Sequence, residues 1–350
     1  MELYKDKLEM LDLMQQPAFC VEEGVIQYIN PAAGHFMLTV GQSIAPLLSS
    51  SHEEYAELTD CMQLQLQLGG QLLDTTVIRK GTLDIFLPDP VSVNERFRML
   101  ALASMQLREP LAGLTAISER IFADTDPMQA ALANRRLHQL LRILSNMSDV
   151  ERFGHPHRCH MEYTEICGFV EEILEKADML LEHIHVRIQH QLPQTGIYML
   201  LDREQVERSI YNLLSNAAKF SPSDSHILVK LSQKGQRIQL SVTSRNLSNH
   251  SEQTFYDHFI REPGLEDPTQ GLGLGLVLVR ATAINHGGAV LIDHPEKNST
   301  RVTMTMQIRH RDSNQVHSPI LRMDYTGERD HGLFELADVL PAALYRIDHS

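Results

Sequence analysis

Apolar and polar positions repeat with different periods along this chain, and the changes of period divide it into four stretches. MELYKDKLEMLDLMQQ has helical spacing that Pro17 ends, and AFCVEEGVIQYIN then reads as two short strands around a turn at Glu22-Glu23-Gly24. Asn30-Pro31 opens another helix, and IRKGTLDIFL supplies a later hairpin with its turn at Lys80-Gly81. Residues 1–91 are therefore expected to form a small mixed domain. Between 92 and 153 the period becomes helical, with Leu100, Ser104, Leu107, Leu111, Leu114 and Ile121 near a seven-residue rhythm. Asp124-Thr125-Asp126-Pro127 ends that helix and starts a second, in which Leu137, Leu140, Leu141, Leu144 and Met147 share one stripe. Two such helices predict an antiparallel hairpin. One hairpin buries little, so a second copy is expected to complete a dimeric four-helix bundle.

A break follows at Gly154-His155-Pro156-His157, and residues 154–310 alternate helical and strand patterns, as an α/β sandwich does. Residues 311–350 form a C-terminal tail of unknown role, in which DHGLFELADVLPAALY is modestly amphipathic. The fold class expected is multidomain α+β.

Composition narrows the function. Of 350 residues, 43% are hydrophobic and 22% charged, enough for several ordinary cores. No apolar run reaches the roughly 18 residues of a membrane span, and the N-terminus lacks the apolar stretch of a secretory signal. Four cysteines make no disulfide framework in a chain of this length. The expected location is the cytoplasm, without membrane insertion. A net charge of −14 excludes nucleic acid as a main partner, because phosphate backbones require a basic surface.

Candidate chemistry lies in the third stretch. Asp202 is placed to cap a helix, and Gln205 three residues on completes a capping box. Val206, Ile210, Leu213, Leu214 and Ala217 form that helix's buried stripe, and Ser221-Pro222 ends it. On another face, Asn212, Asn216 and Lys219 project together at spacings of four and three. Two amides and an ammonium suit a metal-bound phosphate group: oxygen ligands for Mg²⁺, positive charge for phosphate. Further on, Gly271, Gly273 and Gly275 alternate with leucines and lead into another helix pattern. Alternate glycines permit close backbone approach, and a helix start offers free N–H groups. A loop precedes this string where a Rossmann unit requires a strand, which rejects that alternative.

Together these segments resemble sensor histidine kinases, relatives of the gyrase, chaperone and mismatch-repair ATPases. Asn212 to Ser221 is similar to the family's N box, N-L-x-x-N-A-x-K-F/Y-T/S, and Gly271 to Leu276 to its G2 box, G-x-G-L-G-L. Tyr256-Asp257-His258-Phe259 with Arg261 resembles the F box, and His286-Gly287-Gly288 the H-G-G after the G2 helix. The resemblance spans about residues 92–310. It implies an ATP-binding domain in which Asn216 is a Mg²⁺ ligand, Asn212 lies beside the attacked phosphate, Lys219 touches phosphate and Phe220 lines the adenine pocket. Gly271, Gly273 and Gly275, with Leu274 and Leu276 between and after them, would form the lid hinge. Residues 24–33, GVIQYINPAA, resemble the hairpin signature of PAS sensory domains, whose ligand the sequence does not select.

The chain departs from the family where its chemistry lies. The hairpin should carry S-H-E-L-R-T-P-L, but residues 104–111 read S-M-Q-L-R-E-P-L without a gap. Met105 stands at the phospho-accepting histidine, and a thioether cannot form a phosphoramidate. Gln106 replaces the acid/base glutamate, and Glu109 the residue that positions water for dephosphorylation. Ser244 stands where the G1 box has its adenine-binding aspartate, and a hydroxyl loses the charge-assisted part of that bond.

Three functions fit. The first is a degenerate histidine kinase, homodimeric, acting on a response regulator or partner kinase with ATP and Mg²⁺ as weak cofactors. The second is an active kinase or ATPase that phosphorylates a separate protein, and the third a PAS-driven interaction module without nucleotide. The group His155, His157, Cys159 and His160 invites a metal, but it lacks structural-zinc spacing and reads as a solvated linker. His138, alone on the second helix, reads as a surface or seam residue.

Overall fold

A computed structural model describes residues 11–12, 14–48, 51–89, 107, 110–111, 113–114, 126–153, 159–245, 274–310 and 331–346. The first helix of the expected hairpin lies almost wholly outside these residues. So do Met105, Gln106, Glu109, Gly271, Gly273, the F-box residues, His155 and His157.

Strands β1 (Phe19–Glu22) and β2 (Val25–Ile29) pair in antiparallel fashion around a two-residue turn. Both turn residues take positive φ, +51° at Glu23 and +76° at Gly24, the hairpin geometry for which glycine is chosen. Asn30 follows, buried, and its side chain makes four hydrogen bonds. Its Oδ1 accepts from Ala18 N at 2.9 Å and Ala33 N at 3.0 Å, and its Nδ2 donates to the carbonyls of Leu11 and Gln16. One amide thus caps the short 3₁₀ helix Pro31–Phe36 and ties down the incoming chain. The short helix α1 (His52–Ala56) leads to β3 (Cys61–Leu68), β4 (Gln71–Lys80) and β5 (Leu83–Pro88). These five strands run in the order β2-β1-β5-β4-β3.

The long helix α2 (Pro127–Phe153) precedes β6 (Glu162–Glu165), α3 (Ile166–Leu181), β7 (Val186–Gln191), β8 (Tyr198–Leu201) and α4 (Arg203–Phe220). The hairpin β9 (Ser225–Lys234) and β10 (Arg237–Arg245) comes next, then α5 (Leu274–Asn285), β11 (Val290–Asp293) and β12 (Ser299–Gln307). The sheet order β11-β12-β10-β9-β7 is antiparallel except where β7 meets β9. Helices α3, α4 and α5 pack on it, and alternate residues of β9 (Ile227, Val229, Leu231) face their apolar stripes. The predicted stripe of α4, from Val206 to Ala217, is buried throughout.

The two sheets are one. β3 pairs with β11 in antiparallel register, Gln63 opposite Val290 and Met62 opposite Leu291, giving ten continuous strands. Ala289 and Leu291 belong to the apolar core of the N-terminal half. Polar ties flank the seam: Lys234 to Glu57 at 2.8 Å, Gln239 to Glu57 at 2.7 Å, and Arg280 to Asp74 at 3.5 Å. Buried Glu54 pairs with Arg237 and accepts from Thr305 Oγ1 at 3.1 Å.

Residues 331–346 of the expected tail are part of the core. Helix α6 (His331–Glu335) and the turn after it place Leu336, Ala337, Leu340 and Tyr345 among the buried residues of α3 and α4. Helix α2 contacts this segment with its polar face. Asn134 donates to Tyr345 O at 3.0 Å, and Arg135 and Gln139 donate to Ala337 O at 3.2 and 3.1 Å. His138, expected at the surface or in a seam, is buried in a seam, its ring 5.1 Å from that of Tyr345. Of the expected stripe, Leu144 is buried and Leu140 is 47% exposed. Among the described residues, no helix is long and apolar enough to cross a membrane.

Candidate functional site

The candidate site forms where α4 meets the start of α5. Asp202 caps α4 as expected, accepting from Gln205 N at 3.1 Å. The reciprocal half of the capping box differs from expectation. The Gln205 amide goes to Asp202 Oδ2, Cys159 and Asn285, while the Asp202 N–H donates to His286 Nε2 at 3.0 Å. That contact requires a bare Nε2, so the proton sits on Nδ1, which donates to Thr282 O at 2.7 Å. Burial pushes His286 below the usual imidazole range and keeps it neutral. The histidine of His286-Gly287-Gly288 is therefore a cap support for α4.

Asn212 occupies the contact itself. It is 1% exposed; Nδ2 donates to Arg208 O at 2.9 Å, and Oδ1 accepts from Arg142 Nη2 at 3.3 Å. A Cβ at Gly275 would lie 2.9 Å from that Oδ1, so a larger residue there must push the Asn212 side chain aside. Leu274 is buried against Val150, Phe153 and Leu278, and Leu276 packs on the main core. These two leucines hold the helix start in place. Asn216 and Lys219 continue the Asn212 face, both half-buried. Phe220 closes α4 at 38% exposure, with Lys219 Nζ 5.9 Å from its ring centre. Ser244 is buried near the end of β10, opposite Thr300. Asn212 and Gly275 are thus brought into contact, Asn216, Lys219 and Phe220 follow along the same helix, and Ser244 stands on a strand beneath. Asn212 is closed off by Arg142, Arg208 and Gly275, whereas Asn216 and Lys219 are half-buried and offer an amide oxygen and an ammonium of the kind that would hold a nucleotide phosphate through Mg²⁺.

Sequence reasoning missed the charged residues behind this contact. Arg208 is buried and pairs with Asp149; it lies 3.3 Å from Glu335 and donates to Ser145 Oγ and Asn146 Oδ1 at 3.0 and 3.1 Å. Burial alone would lower its guanidinium, but Glu335 and Asp149 outweigh burial and hold it above its ordinary range. Arg142 pairs with Asp338 and lies 3.6 Å from Glu335. The only sequence signal was the run of polar residues on one face of α2. Of the metal group, Cys159 accepts from Gln205 and His160 lies 3.4 Å from Glu162. Among the described residues, no group of three or more His, Cys, Asp or Glu could hold a metal ion.

Comparison with known proteins places this geometry. Residues 201–310 match the family of histidine kinase-, DNA gyrase B- and HSP90-like ATPases, so this part of the chain carries that family's ATP-binding fold. The chain is 23% identical over 279 residues to the sensor histidine kinase WalK of Bacillus subtilis, covering 73% of this chain and 46% of WalK. It is 26% identical over 244 residues to the adaptive-response sensory kinase SasA of Synechococcus sp. (strain CC9902), covering 68% of this chain and 62% of SasA. The solved structure of full-length ShkA in complex with AMPPNP aligns with a TM-score of 0.48 at 19% identity, over 61% of this chain and 46% of that one. The chain is thus similar to sensor histidine kinases over about two thirds of its length, and it spans about half the length of these relatives.

Proposed function

We propose that the chain is a regulatory or scaffold protein of two-component signalling, a cytoplasmic and homodimeric histidine kinase homologue whose hairpin no longer accepts phosphate. One observation carries this reading. Ser104, Leu107, Arg108, Pro110 and Leu111 keep the family's register while Met105, Gln106 and Glu109 replace its three chemical positions. Residues that shape the hairpin persist and those that react do not, which is the pattern of a scaffold kept for contacts with a response regulator or partner kinase. The order β2-β1-β5-β4-β3 and the role of Asn30 support a PAS-type sensory domain at the N-terminus. ATP would be held by Asn212, Asn216, Lys219 and Phe220, with Asn216 as the Mg²⁺ ligand, and bound nucleotide would supply a triphosphate charge to α4 and α5.

The test is incubation of purified protein with Mg²⁺-ATP, read as acid-labile phosphate on histidine, beside calorimetric ATP binding by wild type and Asn216→Ala. The expected result is no phosphohistidine, with ATP binding that the substitution removes. Phosphohistidine on the wild-type chain would overturn the reading. The close approach of Gly275 to Asn212 favours a second function, an active kinase of the same fold acting on another protein. Phosphate transferred from ATP to a partner protein would select it.

A further inference from the structure

Helix α2 reaches the candidate nucleotide site with one side chain, Arg142, and nothing in the family pattern above asks for a cation there. We propose that Arg142 is a phosphate-contacting residue supplied by the hairpin to the ATP-binding domain, aligned by Glu335 and Asp338 of the C-terminal segment. The proposal rests on the nucleotide reading above and adds to it a residue from outside the matched domain.

Three observations carry it. The first is direction. Nη2 of Arg142 donates to Oδ1 of Asn212 at 3.3 Å, and that oxygen is the atom against which Gly275 and the start of α5 are packed. The guanidinium therefore lies beside the start of α5, the end at which a helix dipole favours an anion. The second is burial. The Arg142 side chain is 6% exposed, and an arginine is removed from water only where partners replace its hydration. The third is the way it is held. Asp338 takes Nη1, Glu335 (fully buried) lies 3.6 Å from Nε, and Nη2 is left facing Asn212. Arg208, one turn before Asn212 on α4, differs: its guanidinium spends itself on Asp149, Ser145, Asn146 and Glu335. Between Arg142 and Arg208, it is the Arg142 guanidinium that donates to an N-box side chain; Arg208 meets Asn212 only through its carbonyl.

The consequence concerns α2. If the terminal phosphate draws on Arg142, nucleotide binding and the docking of α2 share one contact, and each strengthens the other by the same factor. A hairpin that accepts no phosphate would still register whether ATP or ADP is bound.

The competing role is a purely structural ion pair, which would affect folding without distinguishing nucleotides. The experiment compares Mg²⁺-ATP and Mg²⁺-ADP affinities by calorimetry for wild type, Arg142→Lys, and the paired variant Arg142→Met with Glu335→Gln. The paired variant removes Arg142 together with its fully buried neighbour Glu335, while Asp338 is open to solvent and Arg208 keeps Asp149. The expected result is an ATP affinity lowered about tenfold or more in both variants, as for a lost hydrogen bond to a charged group, with ADP affinity within about twofold of wild type. Equal losses for ATP and ADP, or no loss for either, would overturn the role of Arg142 while leaving the nucleotide site standing. No binding of either nucleotide by wild type would instead overturn the nucleotide reading, and this proposal with it.

Discussion

Removal of the Glu54 carboxylate tests whether the N-terminal domain and the ATP-binding domain are one folding unit. Glu54 is 2% exposed, pairs with Arg237 across the joint sheet and accepts from Thr305 Oγ1. Burial pushes its carboxyl above the ordinary range, and Arg237 and Thr305 draw it back. Breaking a buried pair by deleting one partner costs about 3–5 kcal/mol, because the other charge is left stranded. Two features place Glu54→Ala at the lower end. Glu53, largely exposed, still lies 3.2 Å from Arg237 Nε, and Gly287 O still accepts from Arg237 Nη1 at 2.9 Å. The expected loss is thus about 3 kcal/mol, and replacing both partners, Glu54→Leu with Arg237→Met, should recover most of it. Urea unfolding of the full chain measures the loss. Amide hydrogen exchange locates it, and protection should fall in β11 and β12 as well as in β3. A loss under about 1 kcal/mol, or one confined to residues 19–88, would refute the single-unit account.

Three further outcomes follow from the same packing. Leu340→Ala, at a fully buried position of the C-terminal segment, should cost about 2–4 kcal/mol in urea, whereas an ornamental tail would lose under about 0.5 kcal/mol. Gly275→Ala gains about 1 kcal/mol of helix propensity and displaces Asn212 from hydrogen bonds worth about 1 kcal/mol each. With two such bonds at Asn212, stability should fall by about 1 kcal/mol or more while Mg²⁺-ATP affinity drops in calorimetry; unchanged affinity would remove Asn212 from the site. His286 titrates below its ordinary value of about 6.5, so the unfolded chain binds more protons and stability must fall as pH drops through that value. Urea midpoints from pH 7.5 to 5 should decline more steeply for wild type than for His286→Asn; parallel curves would contradict the neutral, buried ring.

What was legible in the sequence was local. The Glu23-Gly24 turn, the cap at Asp202, the buried stripe of α4 and the joint projection of Asn212 and Asn216 each depend on residues a few positions apart. The joint sheet was not legible, because strand alternation in CMQLQLQL fixes which face is buried and leaves the edge partner open. The burial of the polar face of α2 was not legible for a related reason. Asn134, His138, Arg142, Ser145, Asn146 and Asp149 have the look of a solvated face, yet all are buried. Their complements are Arg208, Glu335, Asp338 and Tyr345, far along the chain, and no periodicity in either segment announces the other. The candidate site divides the same way: its amides and glycine follow from spacing, and Arg142 follows only from the fold.

Helices α4 and α5, which carry the candidate site, are gripped from two sides by parts of the chain outside the matched ATP-binding domain. The N-terminal half touches α5 through Asp74 and Arg280 and shares a sheet with β11. Helix α2 touches α4 through Arg142 and Arg208 and packs Val150 and Phe153 on Leu274 and Leu278 of α5. A displacement of either flank must move one of the helices between which Asn212 and Gly275 meet. Coupling free energies of about 1–3 kcal/mol suffice for changes of roughly fivefold to a hundredfold in affinity, the scale of one such buried contact. On the proposed reading, Met105 in place of the acceptor would remove the covalent output from the expected hairpin. It would leave these mechanical contacts intact, and a signal carried by them would need no phosphohistidine.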